Sequence, residues 1–417
     1  MKRGIFFLAF VFLIGAATDG ARAQVQIGGY VKSFVYPNLR APYELDRLGS
    51  RLQLTFSRPF SDRGALFAAF NFNYDARQAA SNGWRNRQTG LTIYPVEAYL
   101  DLYFKTLDVR IGNQFILWGI TDWINPTDNI NPWDYLNITA EIEDYRVPVW
   151  AARVHVYLGD WTIEGVWVPE FQPHRLPDPE GVTIRQFVRL PKLSFFQGGT
   201  RIALPFRIIN VSLSYYQGYD KWPTYQAPQF QPRYGTNIAL EKKYFWVQIF
   251  GADFVTTFGK FALKGEGAYT LTEDKDGNDP TIRNPQLQYV LGIDYYATDQ
   301  LTLNVQFVQT RRFFYRMDQE IQAALQMRVD PRRVPEAVEN SASLRTQWSP
   351  INFFSLQLIG VLNFRYQDYF LLPILTYDVA DGIRLYAGIT YFNGPAYSLF
   401  GQSKTYSRAF AELKFNF

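Results

Sequence analysis

SRAFAELKFNF, Ser407 to Phe417, closes the chain. Ala409, Ala411, Leu413, Phe415 and Phe417 fall on one side of an extended backbone, and Arg408, Glu412, Lys414 and Asn416 on the other. Successive side chains of a strand point to opposite faces, so this is a strand with one apolar and one wet surface. The same period of two returns upstream. Leu52, Leu54 and Phe56 alternate with Arg51, Gln53 and Thr55, and LFAAFNFNY puts Leu66, Ala68, Phe70, Phe72 and Tyr74 on a common face. VEAYLDLYF, QLQYVLGIDYY and LTLNVQFVQ repeat it.

Strands of this kind are expected at about 25–36, 48–58, 64–75, 95–104, 107–117, 148–158, 161–169, 195–204, 207–218, 240–251, 260–272, 285–297, 300–310, 341–348, 353–365, 369–378, 382–393 and 404–417. Their connections alternate between tight, as at Lys105-Thr106, Gly159-Asp160, Pro205-Phe206 and Thr298-Asp299, and mostly long. Hydrocarbon tolerates no unpaired backbone, and only a closed sheet has no edge. The pattern therefore reads as an all-β transmembrane antiparallel β-barrel of about 18 strands, with long external loops and short periplasmic turns.

Composition agrees with that setting. The 417 residues are 47% hydrophobic, 18% aromatic and only 19% charged, and the absence of Cys excludes thiol chemistry. The start, MKRGIFFLAFVFLIGAATDGARAQ, has two basic residues, an apolar run from Ile5 to Ala17, and Ala21-Arg22-Ala23 before Gln24. This is the order of a secretory signal peptide, so residues 1–23 are expected to be cleaved and 24–417 to form a single barrel domain. Cleavage lowers the net charge from +4 to +2. No polybasic stretch remains, which excludes nucleic acid as a partner. The terminal Phe417 after alternating apolar residues resembles the signal by which bacterial outer-membrane barrels are recognised for insertion. That likeness implies the bacterial outer membrane, its lipid bilayer and its barrel-insertion machinery.

One stretch breaks the alternation. WGITDWINPTDNINPWDY, Trp118 to Tyr135, carries Ile-Asn-Pro-Thr-Asp-Asn followed at once by Ile-Asn-Pro-Trp-Asp-Tyr. Proline fixes the backbone and an Asp two residues on accepts amide hydrogens, so the tandem predicts two stiff turns in the third external loop, 118–147. Trp118, Asp122, Trp123, Asn125, Asp128, Asn131, Trp133 and Asp134 are the candidate constriction residues. The aspartates are expected to meet a passing solute or hold a divalent cation, and the tryptophans to stack on a sugar or wedge the loop against the wall. On the inward strand faces, Arg51, Arg110, Arg153, His155, Arg201, Arg345 and Arg384 are the candidate lumen residues. Basic side chains outnumber acidic ones there, which favours anionic or polyol solutes unless each pairs with a neighbour, as Asp101 or Glu97 would with Arg110.

IGNQFILWGITDWINPTDNINPWDY resembles the G-x-Q-x-x-x-W-G…NP-x-D…NP segment of a poorly characterised group of bacterial outer-membrane porin-like proteins. The strand number and basic lumen are similar in architecture to alginate-export porins. These likenesses imply a channel for passage or export of hydrophilic, anionic or saccharide solutes. The alternative they leave open is a non-conducting scaffold or receptor that serves an inner-membrane exporter of lipid or polysaccharide.

Enzymatic function is not expected. His155 and His174 are the only histidines; His155 has no Ser or Asp nearby in sequence that would make a triad recognisable, and His174 lies in a Pro-rich loop. Asp274, Asp276 and Asn278 in TEDKDGNDP echo a calcium loop, but Gly277 is misplaced and Pro285 stands where the twelfth-position Glu belongs. No cofactor and no metal site is assigned. MDQEIQAALQM, Met317–Met327, predicts a short helix within a further external loop.

Overall fold

The computed structural model describes residues 25–41, 43–77, 90–176, 196–226, 241–327 and 329–417. The expected signal peptide and the Pro-rich stretches 177–195 and 227–240 lie outside them. Eighteen strands form one antiparallel sheet, each paired with its neighbour in sequence. They are β1 (Gln26–Pro37), β2 (Leu45–Ser61), β3 (Gly64–Asp75), β4 (Leu91–Tyr103), β5 (Leu107–Gln114), β6 (Val149–Leu158), β7 (Trp161–Trp167), β8 (Gly198–Pro205) and β9 (Ile209–Tyr219). A small external hairpin, β10 (Thr224–Gln226) with β11 (Glu241–Lys243), stands apart. The wall continues with β12 (Trp246–Phe258), β13 (Phe261–Thr272), β14 (Gln286–Thr298), β15 (Leu301–Arg312), β16 (Val338–Ile351), β17 (Phe354–Asn363), β18 (Asp368–Ala380), β19 (Ile383–Asn393) and β20 (Arg408–Asn416). β20 pairs with β1 from Tyr30↔Asn416 to Val35↔Ala411, and Gly29 and Phe417 exchange both backbone hydrogen bonds at 3.0 Å. The sheet is thus closed and has no edge.

Several expected boundaries move by three or four residues, and those of β12 move furthest. β12 runs to Phe258 instead of ending at 251, because Gly251-Ala252-Asp253 breaks the apolar alternation without breaking the ladder. Its expected first residues, Glu241–Lys243, belong to the small hairpin. β20 starts at Arg408, since Lys404–Tyr406 forms a 3-10 turn. The helix expected in MDQEIQAALQM is present as Met317–Gln326.

The outer wall is apolar: Leu213, Phe250, Leu291 and Val305 are each about half exposed. An aromatic girdle circles the short-turn end, with Phe258 on Phe261 (5.7 Å between ring centres), Phe261 on Tyr295 (4.8 Å) and Phe353 on Tyr377 (5.7 Å). So much exposed apolar area is stable where hydrocarbon replaces water. Inside, the wall is mixed. Charged side chains share it with two apolar panels: Ile359, Val361, Phe370, Leu372, Ile374 and Phe410 on β17, β18 and β20, and Val149, Ala151, Val166, Val247, Ile249 and Ala268 on β6, β7, β12 and β13.

Candidate functional site

Both inner panels are covered by the third loop, Phe115 to Pro148, which leaves β5 and folds into the barrel. Ile116, Trp118 and Ile130 pack on the β6–β13 panel. Ile138 and Tyr145, with Trp123, Ile124, Trp133 and Tyr135, pack on the β17–β20 panel. Burying apolar loop against apolar wall supplies the non-directional part of its attachment. Gly199 on β8 makes room for the first of these contacts: a Cβ there would lie 2.8 Å from the Trp118 ring.

Polar contacts fix the loop's position. Asn131 donates to the Val147 carbonyl (2.8 Å) and accepts from the Ile116 amide (2.6 Å), closing the base of the loop. Asn125 donates to the Trp118 carbonyl (3.0 Å), across a bend where Gly119 has φ +82°, a conformation that favours glycine. Glu266, inward on β13, accepts from the backbone amides of Ile120 (3.0 Å), Thr121 (3.1 Å) and Thr127 (2.7 Å) and from both threonine hydroxyls (2.8 Å each). A carboxylate holding several N–H donors is a strong anchor, because bonds to a charged acceptor are roughly twice as strong as neutral ones.

The loop's own acids are paired. Asp122 reaches Lys264 on β13 (2.8 Å) and Arg345 on β16 (2.6 Å), and accepts from Gln306 on β15 (3.2 Å). Its neighbour Trp123 sits at φ +35°, rarely adopted by a bulky residue. On the far arc, Asp144 meets Lys32 on β1 (2.7 Å) and Arg51 on β2, while Glu141 meets Lys32 (3.1 Å) and Lys414 on β20 (2.5 Å). Burial alone would raise both carboxyls, but these cations outweigh it and hold Glu141 and Asp144 below the ordinary range. Glu141, Asp144 and Glu412 are close enough to share a metal ion, yet all three converge on the Lys32 ammonium, with Glu412 at 3.2 Å.

The two turn aspartates are buried, Asp128 7% and Asp134 2% exposed. Asp128 pairs with Arg146, which lies 3.7 Å over the Trp133 ring, and burial raises its carboxyl to about 6. Asp134 binds Arg175 of the next loop (2.9 Å) and accepts from the Leu136 amide (3.1 Å), the expected turn bond. Their charge is thus spent on neighbouring arginines, where the sequence pattern placed it towards a solute. Trp123, Tyr145, Trp133 and Tyr135 stack in succession at 5.5, 5.6 and 5.9 Å between ring centres. His174 accepts from the Trp133 amide through Nδ1 (2.8 Å). Burial, then the charges of Lys221, Arg146 and Arg283, hold that imidazole well below the ordinary histidine range.

The seven lumen candidates all find acids. Arg110 binds Asp101 (2.7 Å), Arg153 binds Glu164 (2.7 Å) with His155 3.6 Å from the same carboxylate, Arg201 binds Asp253 (3.2 Å), and Arg384 binds Asp378 (2.5 Å). Arg51 and Arg345 are held by the loop. In TEDKDGNDP, Asp274 accepts from the amides of Asn278 (3.0 Å) and Asp279 (2.9 Å), so it caps its own turn. The pattern gave no warning of Glu266 as anchor or of Glu141 and Asp144 as partners of the wall; the one available signal was EIEDY, an acidic run in a loop facing a basic wall.

A mutant of the porin of Rhodopseudomonas blastica is similar in fold, at 12% identity over 94% of this chain and 100% of its own, with a TM-score of 0.42. A loop-deletion mutant of OmpT, an outer membrane protein of Vibrio cholerae, matches at 11% identity over 94% and 99%, with a TM-score of 0.45. The barrel assignment rests on this chain's own pairings. Comparison with curated proteins gives no match. Residues 58–327, which carry the tandem loop and its anchor Glu266, match the family described as "Protein of unknown function (DUF1302)", and the chain belongs to that family.

Proposed function

We propose that the protein is a bacterial outer-membrane channel for hydrophilic solutes, with the third loop as its constriction. One observation carries this reading: the loop is ion-paired both to β13 and β16 and to β1, β2 and β20, so a single segment is held across the lumen. A chain fixed in that way sets the bore. The apolar outer wall supports a bilayer setting, and the start of β1 and the end of β20, which meet at the short-turn end, support a periplasmic start. The paired charges of the inner wall offer polar contacts to anionic or saccharide solutes.

Planar-bilayer recording tests this. Deleting Asn125 to Asp134 is expected to raise single-channel conductance severalfold, and an unchanged conductance overturns the constriction. The burial of the tandem aspartates favours a second reading, a non-conducting scaffold or receptor that partners an inner-membrane exporter. It expects no conductance in either protein.

A further inference from the structure

We infer that the wall cations beneath the third loop are anion-binding sites occupied by the loop's own carboxylates, and that the solute displacing them carries two or more carboxylates. This deepens the channel reading and rests on it for the identity of the cargo.

The basic residues of the lumen divide into two classes. Arg110, Arg153, Arg201 and Arg384 are answered by acids of the wall itself, Asp101, Glu164, Asp253 and Asp378. Those pairs are complete without the loop. Arg51, Lys414 and Arg345 differ: among the described residues their ion-pair partners are Asp144, Glu141 and Asp122, all on the loop. Lys32 and Lys264 divide their charge between loop acids and the wall acids Glu412 and Asp294. The loop is therefore the anionic half of a binding surface whose cationic half is the wall.

A buried cation stripped of its partner is strongly penalised, so whatever replaces a loop carboxylate must itself be an anion. Arg51 and Arg345 present planar guanidinium forks, which match the planar carboxylates now in place. The two cationic groups sit on different arcs, β1, β2 and β20 against β13 and β16. One anion satisfies one group and leaves the loop held by the other; a solute with several carboxylates satisfies both. Trp123, left-handed at φ +35° beside Asp122, stores backbone strain that release of Asp122 relaxes.

The test uses the purified full chain with both Asp122→Asn and Glu141→Gln, which leaves Asp144 on Lys32 and Arg51. Isothermal titration with citrate is expected to show affinity raised about tenfold over the unsubstituted protein, with acetate showing no such gain. Adding Arg345→Gln is expected to abolish the gain. Equal citrate affinity in both proteins, binding in neither, or a gain that survives Arg345→Gln overturns the inference. A gain without conductance in planar bilayers overturns the channel reading and leaves the anion sites standing. Should the double variant fail to fold, Asp122→Asn alone, in which Lys264 keeps Asp294, frees the β13–β16 group only and is expected to raise citrate affinity by a smaller factor; an unchanged affinity overturns the inference.

Discussion

Glu266 shows how much a single wall residue can hold. Three backbone amides and two hydroxyls of the loop end on its carboxylate. Glu266→Gln keeps the shape but turns an N–H₂ group towards N–H donors, leaving some of them buried and unpaired. The expected loss is about 3 kcal/mol of unfolding free energy, measured by denaturant titration in micelles, with faster proteolysis between 118 and 135. Gly199→Ala tests the apolar contact. Its Cβ meets the Tyr215 carbonyl on β9 at 2.4 Å and the Trp118 ring at 2.8 Å, so both the strand pair and the loop base must shift, at about 1–3 kcal/mol and with a red-shifted tryptophan emission. Neither role was legible in the sequence. Thr127 and Glu266 are 139 residues apart, Asp122 and Arg345 223, and periodicity carries no information across such separations.

At the level of elements, the strands were legible because a wall apolar outside and polar inside imposes a period of two wherever it stands. The reading faltered where the inner face holds something other than water. Gly251 lies against the Thr127 side chain and Asp253 against Arg201, so β12 lost its pattern there while keeping its ladder. The tandem loop announced its turns, since Asn-Pro chemistry is local, but not that its acids would be buried. The junction between third and fourth loops depends on neutral His174 accepting from Trp133. An unfolded histidine protonates near about 6.5, whereas this imidazole resists until well below that. Between those values the unfolded chain binds more protons, so stability falls as pH drops. Between pH 7 and 5 the melting temperature is expected to fall relative to that of His174→Asn, which keeps an acceptor, while Asp128, raised to about 6, acts alike in both proteins.

For the whole molecule, the outer wall sets the solvent. Leu291, half exposed at mid-strand on β14, should tolerate an arginine poorly: Leu291→Arg is expected to cost roughly 2–4 kcal/mol of folding free energy in lipid vesicles if it lies at the bilayer midplane. The full cost would disappear from that position if the wall faced water. Apart from β9 with β12, which pair across the small hairpin, every wall strand pair but one joins neighbours in sequence; β1 with β20 joins the first and last strands. Glu141 spans that junction, with Lys32 on one side and Lys414 on the other. The third loop is therefore also a clasp over the barrel's seam. Lesions in it are expected to register in assembly, as cylinders that fail to latch.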